Sequence, residues 1–110
     1  MYKVIVFAGT TEGYEISRFL GENQIPVLAC VATEYGSRSL KESSSLHVQA
    51  GRLDENEMKE LFSREKPELV LDATHPYAAE VTRNIRKACE EAEVSYTRIL
   101  RTGSGQQNAV

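Results

Sequence analysis

The chain has no tryptophan, two cysteines and three prolines in 110 residues, and no excess of positive charge. Each shortage excludes something. Cys30 and Cys89 stand far apart with no Cys-x-x-Cys step, so neither a disulfide framework nor a thiolate metal site of the usual spacing is expected. Two reduced, buried thiols in a cytoplasmic chain are the expectation. Thirteen basic against sixteen acidic residues give a net charge of −3, the reverse of the basic footprint that binds nucleic acid. No apolar run is longer than a strand, so none is long enough to span a bilayer. The opening "MYKVIVFAGTT" stops at Gly9 without a cleavage-like site and reads as a first strand rather than a signal segment. The two histidines, His47 and His75, do not combine with the cysteines into metal-ligand spacing, and no Ser-His-Asp or Cys-His order is present.

What remains is 41% hydrophobic and 26% charged, enough for one domain with a real core. Apolar runs and helical stripes alternate along it. "KVIVFAG", "PVLACVAT" and "ELVLDAT" are continuous apolar runs, the texture of strands buried on both faces. "LHVQAG" alternates and "SYTRIL" is half polar. Between them lie helical patterns. "EGYEISRFLGEN" has Ile16, Phe19 and Leu20 as its stripe. "DENEMKELFSREK" has Asp54 as N-cap and Met58, Leu61 and Phe62 as its apolar side. "YAAEVTRNIRKACEEA" carries Ala78, Val81, Ile85, Ala88, Cys89 and Ala92, with Arg86–Glu90 and Lys87–Glu91 four apart on the polar side. "YGSRSLKESSS" reads as a polar loop holding one helical turn. The alternation predicts an α/β fold: a Rossmann-like three-layer sandwich around a five-stranded parallel sheet. Continuous strands belong inside a sheet and mixed ones at its edges. That favours the order 3-2-1-4-5 over the flavodoxin-like 2-1-3-4-5.

In such a sheet, ligands bind beyond the strand carboxyl ends, where the strand order reverses, here between the first and fourth strands. Their ends are "AGTTEG" and "DATHPY". Gly9 allows a tight turn and Gly13 a close helix. The helix-start N–H groups with the Thr10 and Thr11 hydroxyls suit a phosphate, although the plain alternative is a strand-to-helix turn capped by threonine. Glu12 either points away or accepts from a ribose or nicotinamide group. The second strand ends in "VATEYGSR", where a dinucleotide's adenosine ribose would lie. Glu34 suits the ribose hydroxyls of NAD and Arg38 the 2′-phosphate of NADP. The reading leans to NADP, with Thr33, Ser37 and Arg38 about the phosphate and Tyr35 near the adenine. Arg38 as a solvated loop charge is the alternative. Thr74, His75 and Pro76 either shape a helix start, with proline at the first helical position and His75 or Thr74 as cap, or touch the pyrophosphate or nicotinamide. A helix N-terminus disfavours imidazolium, so a neutral His75 donating a hydrogen bond is the expectation. Arg52 is an anion contact or a loop charge, and His47 an exposed edge residue. Asp72, inside a strand, requires hydrogen-bond donors.

Taken together, "GTTEG", "VATEYG", "GRLD" and "DATHPYAAEVTRN" resemble the N-terminal half of the precorrin-6A reductases, including the cobalt-precorrin-6A reductases of the anaerobic route to cobalamin. "DATHPYA" is the most diagnostic stretch, and the resemblance runs over residues 3–101. It implies NADPH-dependent reduction of one double bond in a corrin precursor. By position, Gly9, Thr10, Thr11, Glu12, Thr33, Tyr35, Gly36, Arg38, Thr74, His75 and Pro76 would line the cofactor. No residue is a better candidate for a catalytic proton donor than His75. The resemblance further implies a tetrapyrrole substrate rich in carboxylates, to which Arg52, Arg83 and Arg101 can contribute.

Family members are longer, with a second α/β domain closing over the substrate, so a second domain or second subunit is expected to complete the site. The family's Arg-Pro step after the fifth strand is replaced by "LRTGSGQQNAV". The expected organisation is an NADP-binding domain at 1–101 and a flexible tail, or the start of a linker, at 102–110. Two rival readings stand beside the reductase: a non-catalytic dinucleotide-binding or regulatory module, and an interaction protein without a ligand.

Overall fold

The computed structural model describes residues 1–100, apart from the side chain of Tyr35. Arg101 and the expected tail at 102–110 lie outside the described residues. Five strands alternate with helices: β1 (Val4–Ala8), α1 (Thr11–Glu22), β2 (Val27–Val31), α2 (Glu34–Ser37), β3 (Leu46–Ala50), α3 (Glu55–Glu65), β4 (Leu69–Ala73), α4 (Ala79–Ala92) and β5 (Tyr96–Arg98). All pairings are parallel and the order is β3-β2-β1-β4-β5, the Rossmann-like arrangement expected from strand texture.

Side chains alternate across a strand, and this sorts the core into two layers. Ile5 and Phe7 of β1, Leu28 and Cys30 of β2 and Val70 of β4 meet Met58, Leu61 and Phe62 of α3 and Ile85, Ala88 and Cys89 of α4. Val4, Val6 and Ala8 of β1, with Val27, Ala29 and Val31 of β2, face the other way, onto Tyr14, Ile16 and Leu20 of α1. Burying a large apolar side chain fully is worth about 1.5–3 kcal/mol, so both layers hold the sheet. Both cysteines are free and buried. α3 begins with a full capping box: Asp54 accepts from the Glu57 N–H and Glu57 from the Asp54 N–H, each at 2.8 Å.

Three local expectations are corrected. Phe19 does not face the core; it is 62% exposed. The packed side of α1 is set by small residues one turn apart. Gly13 and Ser17 are buried, and a Cβ on Gly21 would meet the Leu46 Cβ at 2.9 Å. The backbone of α1 thus lies close to the sheet, and Phe19 is rotated away. Second, α4 does not start on Pro76 with a His75 or Thr74 cap. Its N-cap is Ala78, without a side-chain hydrogen bond, because Pro76 sits in a turn ahead of the helix. Third, Lys87 and Glu91 do not pair along α4. Lys87 reaches Glu55 at 3.9 Å and Glu91 reaches Lys59 at 3.3 Å, both on α3, and Arg86 lies 5.5 Å over the Tyr96 ring.

Candidate functional site

The chain leaves β1 at Gly9, whose N–H donates to the Ala73 carbonyl at the end of β4 (3.2 Å). A Cβ on Gly9 would stand 3.2 Å from Thr74 Cα and 3.5 Å from the His75 N, so the turns after β1 and β4 touch, backbone against backbone. Thr10 is the N-cap of α1: its Oγ1 accepts from the Gly13 N–H (3.4 Å) and donates to the Ala73 carbonyl (2.8 Å). That hydroxyl hydrogen is therefore spent on joining β1 to β4. Thr11 is exposed and Glu12 half-buried, both in the first turn of α1. A Cβ on Gly13 would fall 2.8 Å from Ala8 Cα, so only glycine lets α1 start this close to the sheet. Its first turn carries the partial positive charge of a helix start, with the Gly13 N–H already taken by Thr10.

The turn after β4 is built from side chains. Asp72 is fully buried and stands in register with Arg98 on β5. One carboxylate oxygen accepts from the Thr74 N–H (3.1 Å), Thr74 Oγ1 (2.7 Å) and Arg98 Nη1 (3.2 Å); the other accepts from Thr82 Oγ1 and Tyr96 Oη, both at 2.8 Å. Arg98 Nη1 also donates to the Asp72 and Thr74 carbonyls at 3.0 and 2.9 Å. Burial alone raises the Asp72 carboxyl; the bonds from Thr74, Thr82 and Tyr96 outweigh it and hold the group below the usual carboxylate range. Burial, with the Asp72 bond and charge, pushes the Tyr96 phenol up. The Ala78 N–H then closes a turn on the His75 carbonyl at 2.9 Å, with Pro76 at its second position, where a fixed φ suits it. The Tyr77 N–H donates to His75 Nδ1 at 3.3 Å. Only an unprotonated Nδ1 can accept that bond, so the neutral ring carries its hydrogen on Nε2.

A cleft of about 710 Å³ runs over the strand ends, lined at one end by Ala32, Gly51 and Arg52 beyond β2 and β3, and at the other by Gly9, Thr74 and His75. Gly51, at φ +116°, makes the bend that brings Arg52 to it. Beyond β2, Thr33 Oγ1 accepts from the Gly36 N–H (3.2 Å) and Ser37 Oγ donates to the Glu34 carbonyl (2.7 Å). Arg38 and Glu34 are exposed, and the Tyr35 side chain is outside the described residues. A Cβ on Gly36 would meet Tyr14 Oη at 2.8 Å. A larger, open groove of about 1120 Å³ follows α4 and β5, with Arg83, Arg86 and Arg98 along it. It reaches the carboxyl ends of β4 and β5 at Pro76 and Leu100 and shares Ala79 and Asn84 with the cleft.

A family model described as "Precorrin-6x reductase CbiJ/CobK" matches residues 3–110. The chain belongs to the precorrin-6x reductase family. The resemblance read in "DATHPYAAEVTRN" is thereby borne out. The cobalt-precorrin-6A reductase of Methanothermobacter thermautotrophicus is 37% identical over 99 residues, covering 89% of this chain and 33% of the relative. That of Salmonella typhimurium is 33% identical over 98 residues, covering 89% and 37%. The chain thus spans about a third of the length of these relatives. Among solved structures, a CobK precorrin-6A reductase superposes with a TM-score of 0.79 at 25% identity, over 97% of this chain and 42% of that one. The Bordetella bronchiseptica enzyme WbmH in complex with NAD+ shares the fold, with a TM-score of 0.65 at 17% identity over 86% and 37%.

On this precorrin-6x reductase chain, Gly9, Thr74 and His75 come together at one end of the cleft. Thr10 caps α1 and Thr11 and Glu12 stand in its first turn, next along the chain from Gly9 but outside the cleft lining, as is Pro76, which stiffens the His75 turn. Thr33, Gly36 and Arg38 stand on the far side of β2, outside the cleft lining. The sequence reading missed Arg98 and Tyr77. Arg98 had a signal: a buried aspartate in β4 demands a neighbouring positive charge, and "YTR" places one two residues from Tyr96. Among the described residues, no group of three or more His, Cys, Asp or Glu side chains can hold a metal ion. Nor is any helix among the described residues long and apolar enough to cross a membrane.

Proposed function

We propose that this chain is the nucleotide-binding half of an NADPH-dependent reductase. The double bond it helps reduce belongs to a corrin precursor, precorrin-6A or cobalt-precorrin-6A, in cobalamin biosynthesis. The observation that carries the reading is the backbone contact of Gly9 with Thr74 and His75 at the head of the cleft, where the strand order reverses. No side chain fills the turn at Gly9, and the cleft continues past the ends of β1 and β2 to Arg52. Its lining, from Gly9 and Thr74 past Ala32 to Arg52 beyond the ends of neighbouring strands, fits a dinucleotide lying across the strand ends.

NADPH, when bound, supplies the hydride. The residues of this chain bind and orient it. The first turn of α1, with Thr11, receives the pyrophosphate. Thr10 keeps that turn fixed against β4. Arg38, with Thr33 beside it, answers the 2′-phosphate. His75 presents its Nε2–H toward the reacting end, as the candidate group for moving a proton. Arg52 and Arg83 offer charge to the carboxylates of the tetrapyrrole. A second domain or subunit closes the other side.

Titration with NADPH and NADH, followed by nicotinamide fluorescence, tests the reading. Saturable binding with NADPH the tighter ligand is expected, and binding of neither nucleotide sinks it. Arg38→Ala should weaken NADPH about tenfold or more and NADH little, as loss of a charge-assisted phosphate contact does. Equal losses would remove Arg38 from the 2′-phosphate site.

A further inference from the structure

Tyr77 is 90% exposed, yet its position is fixed. The His75–Ala78 turn, closed by the Ala78 N–H and stiffened by Pro76, sets the backbone beneath it. Its own N–H is bonded to His75 Nδ1. One face of its ring lies on the His75 imidazole, with centroids 4.6 Å apart and 29° between the planes. The residue lines the cleft at the β4 end. A ring held in this way adds nothing to either core layer. What it offers is a preorganised flat surface, ordered before any ligand arrives.

We infer that the open face of Tyr77 is a stacking platform for a planar conjugated ring bound in this cleft. The ring belongs to the nicotinamide end of the dinucleotide or to the tetrapyrrole; a flat π system is common to both. The inference rests on the dinucleotide reading of the cleft. The adenosine half lies toward β2 and β3 in this sheet order, so the other half reaches the β4 corner, where Tyr77 stands. The face of a tyrosine ring is electron-rich and attracts positive charge. The oxidised, cationic nicotinamide therefore stacks more tightly on it than the reduced form.

The test is calorimetric titration of the chain and its Tyr77→Ala and Tyr77→Phe variants. The probes are NADP+, NADPH, 2′-phospho-ADP-ribose (which has no nicotinamide) and cobyrinic acid as a carboxylated corrin. If the nicotinamide stacks there, Y77A weakens NADP+ about tenfold, the size of one lost aromatic stack. NADPH then loses less, and the ring-less analogue is unchanged. If the macrocycle stacks there, Y77A weakens cobyrinic acid about tenfold and spares all three nucleotides. In either case Y77F binds like the parent, because the ring and not the hydroxyl makes the contact. Y77A that leaves all four probes unchanged, or that weakens NADP+ and the ring-less analogue equally, overturns the inference. Failure of the parent chain to bind any nucleotide overturns the dinucleotide reading itself. That failure shows before a variant is made.

Discussion

At the end of β1 the chain turns on Gly9 and Gly13, with backbone laid against backbone. At the end of β4 it turns on Asp72, Thr74 and Arg98, with side chains bonded to side chains. The two corners touch, yet they are held by opposite means. The first works because atoms are missing: a Cβ on Gly13 would stand 2.8 Å from Ala8 Cα. The second works because one buried carboxylate collects bonds from β4, α4 and β5. A corner built by omission can let a ligand approach the backbone closely. A corner built by a network can hold a side chain such as His75 at a fixed place. On the proposed reading, the two demands of a dinucleotide, a cradle for phosphates and a fixed neighbour for its reactive ring, would be divided between them.

The difference can be broken most sharply at Asp72. Asp72→Ala leaves the half-buried Arg98 without its carboxylate and frees three hydroxyls, and it should cost about 3–5 kcal/mol, read as a large fall in the urea midpoint. Asp72→Asn, which keeps the shape, should cost less and should change the acid limb. The folded carboxyl lies below its ordinary value of 3.8. Its stabilisation is therefore complete above that value and is lost as pH falls through the lower folded one. The parent chain should thus weaken as pH drops below about 3.8, and D72N should show a flatter acid limb. An unchanged slope would mean that the carboxylate is not charged in the fold.

The glycine corner should fail by crowding. Gly13→Ala pushes a methyl onto backbone that cannot move aside, for about 1–3 kcal/mol, visible in thermal melts. Gly36→Ala is the milder case, because its obstacle is the far end of the Tyr14 side chain. A loss of about 1 kcal/mol is expected, and the double variant with Tyr14→Phe should recover part of it. At the small end stands His75→Ala. The residue is exposed, so stability should shift by no more than about 0.5 kcal/mol, while NADPH binding weakens. A large stability loss there would place His75 in the network rather than on the ligand side.

The strand order was legible because burial on both faces leaves a continuous apolar run, and β1, β2 and β4 have one while β3 and β5 do not. The meeting of "AGTTEG" with "DATHPY" follows from that order alone. Phe19 was misread because a hydrophobic stripe records where apolar mass lies, not where a backbone approaches. Gly13, Ser17 and Gly21 recorded the approach, and small residues leave no peak in a hydropathy pattern. Pro76 was misread for a related reason: proline fits both a helix start and the second place of a turn, and only the Ala78 bond to His75 decides between them. Thr10 carried both of its meanings openly; the bond it accepts from the Gly13 N–H makes it the cap, and its bond to the Ala73 carbonyl takes up its hydrogen. Arg98 was hidden because its partner is distant in sequence and adjacent only across strands.

Both thiols sit in the same layer, between the sheet and the α3–α4 pair. Burial pushes the Cys30 thiol up to about 12, and burial with the charge of Asp72 does the same to Cys89, so neither forms the reactive thiolate at neutral pH. Alkylation by a small maleimide is then a stopwatch for the lifting of that one layer, while the α1 side, which holds no sulfur, opens and shuts without being timed.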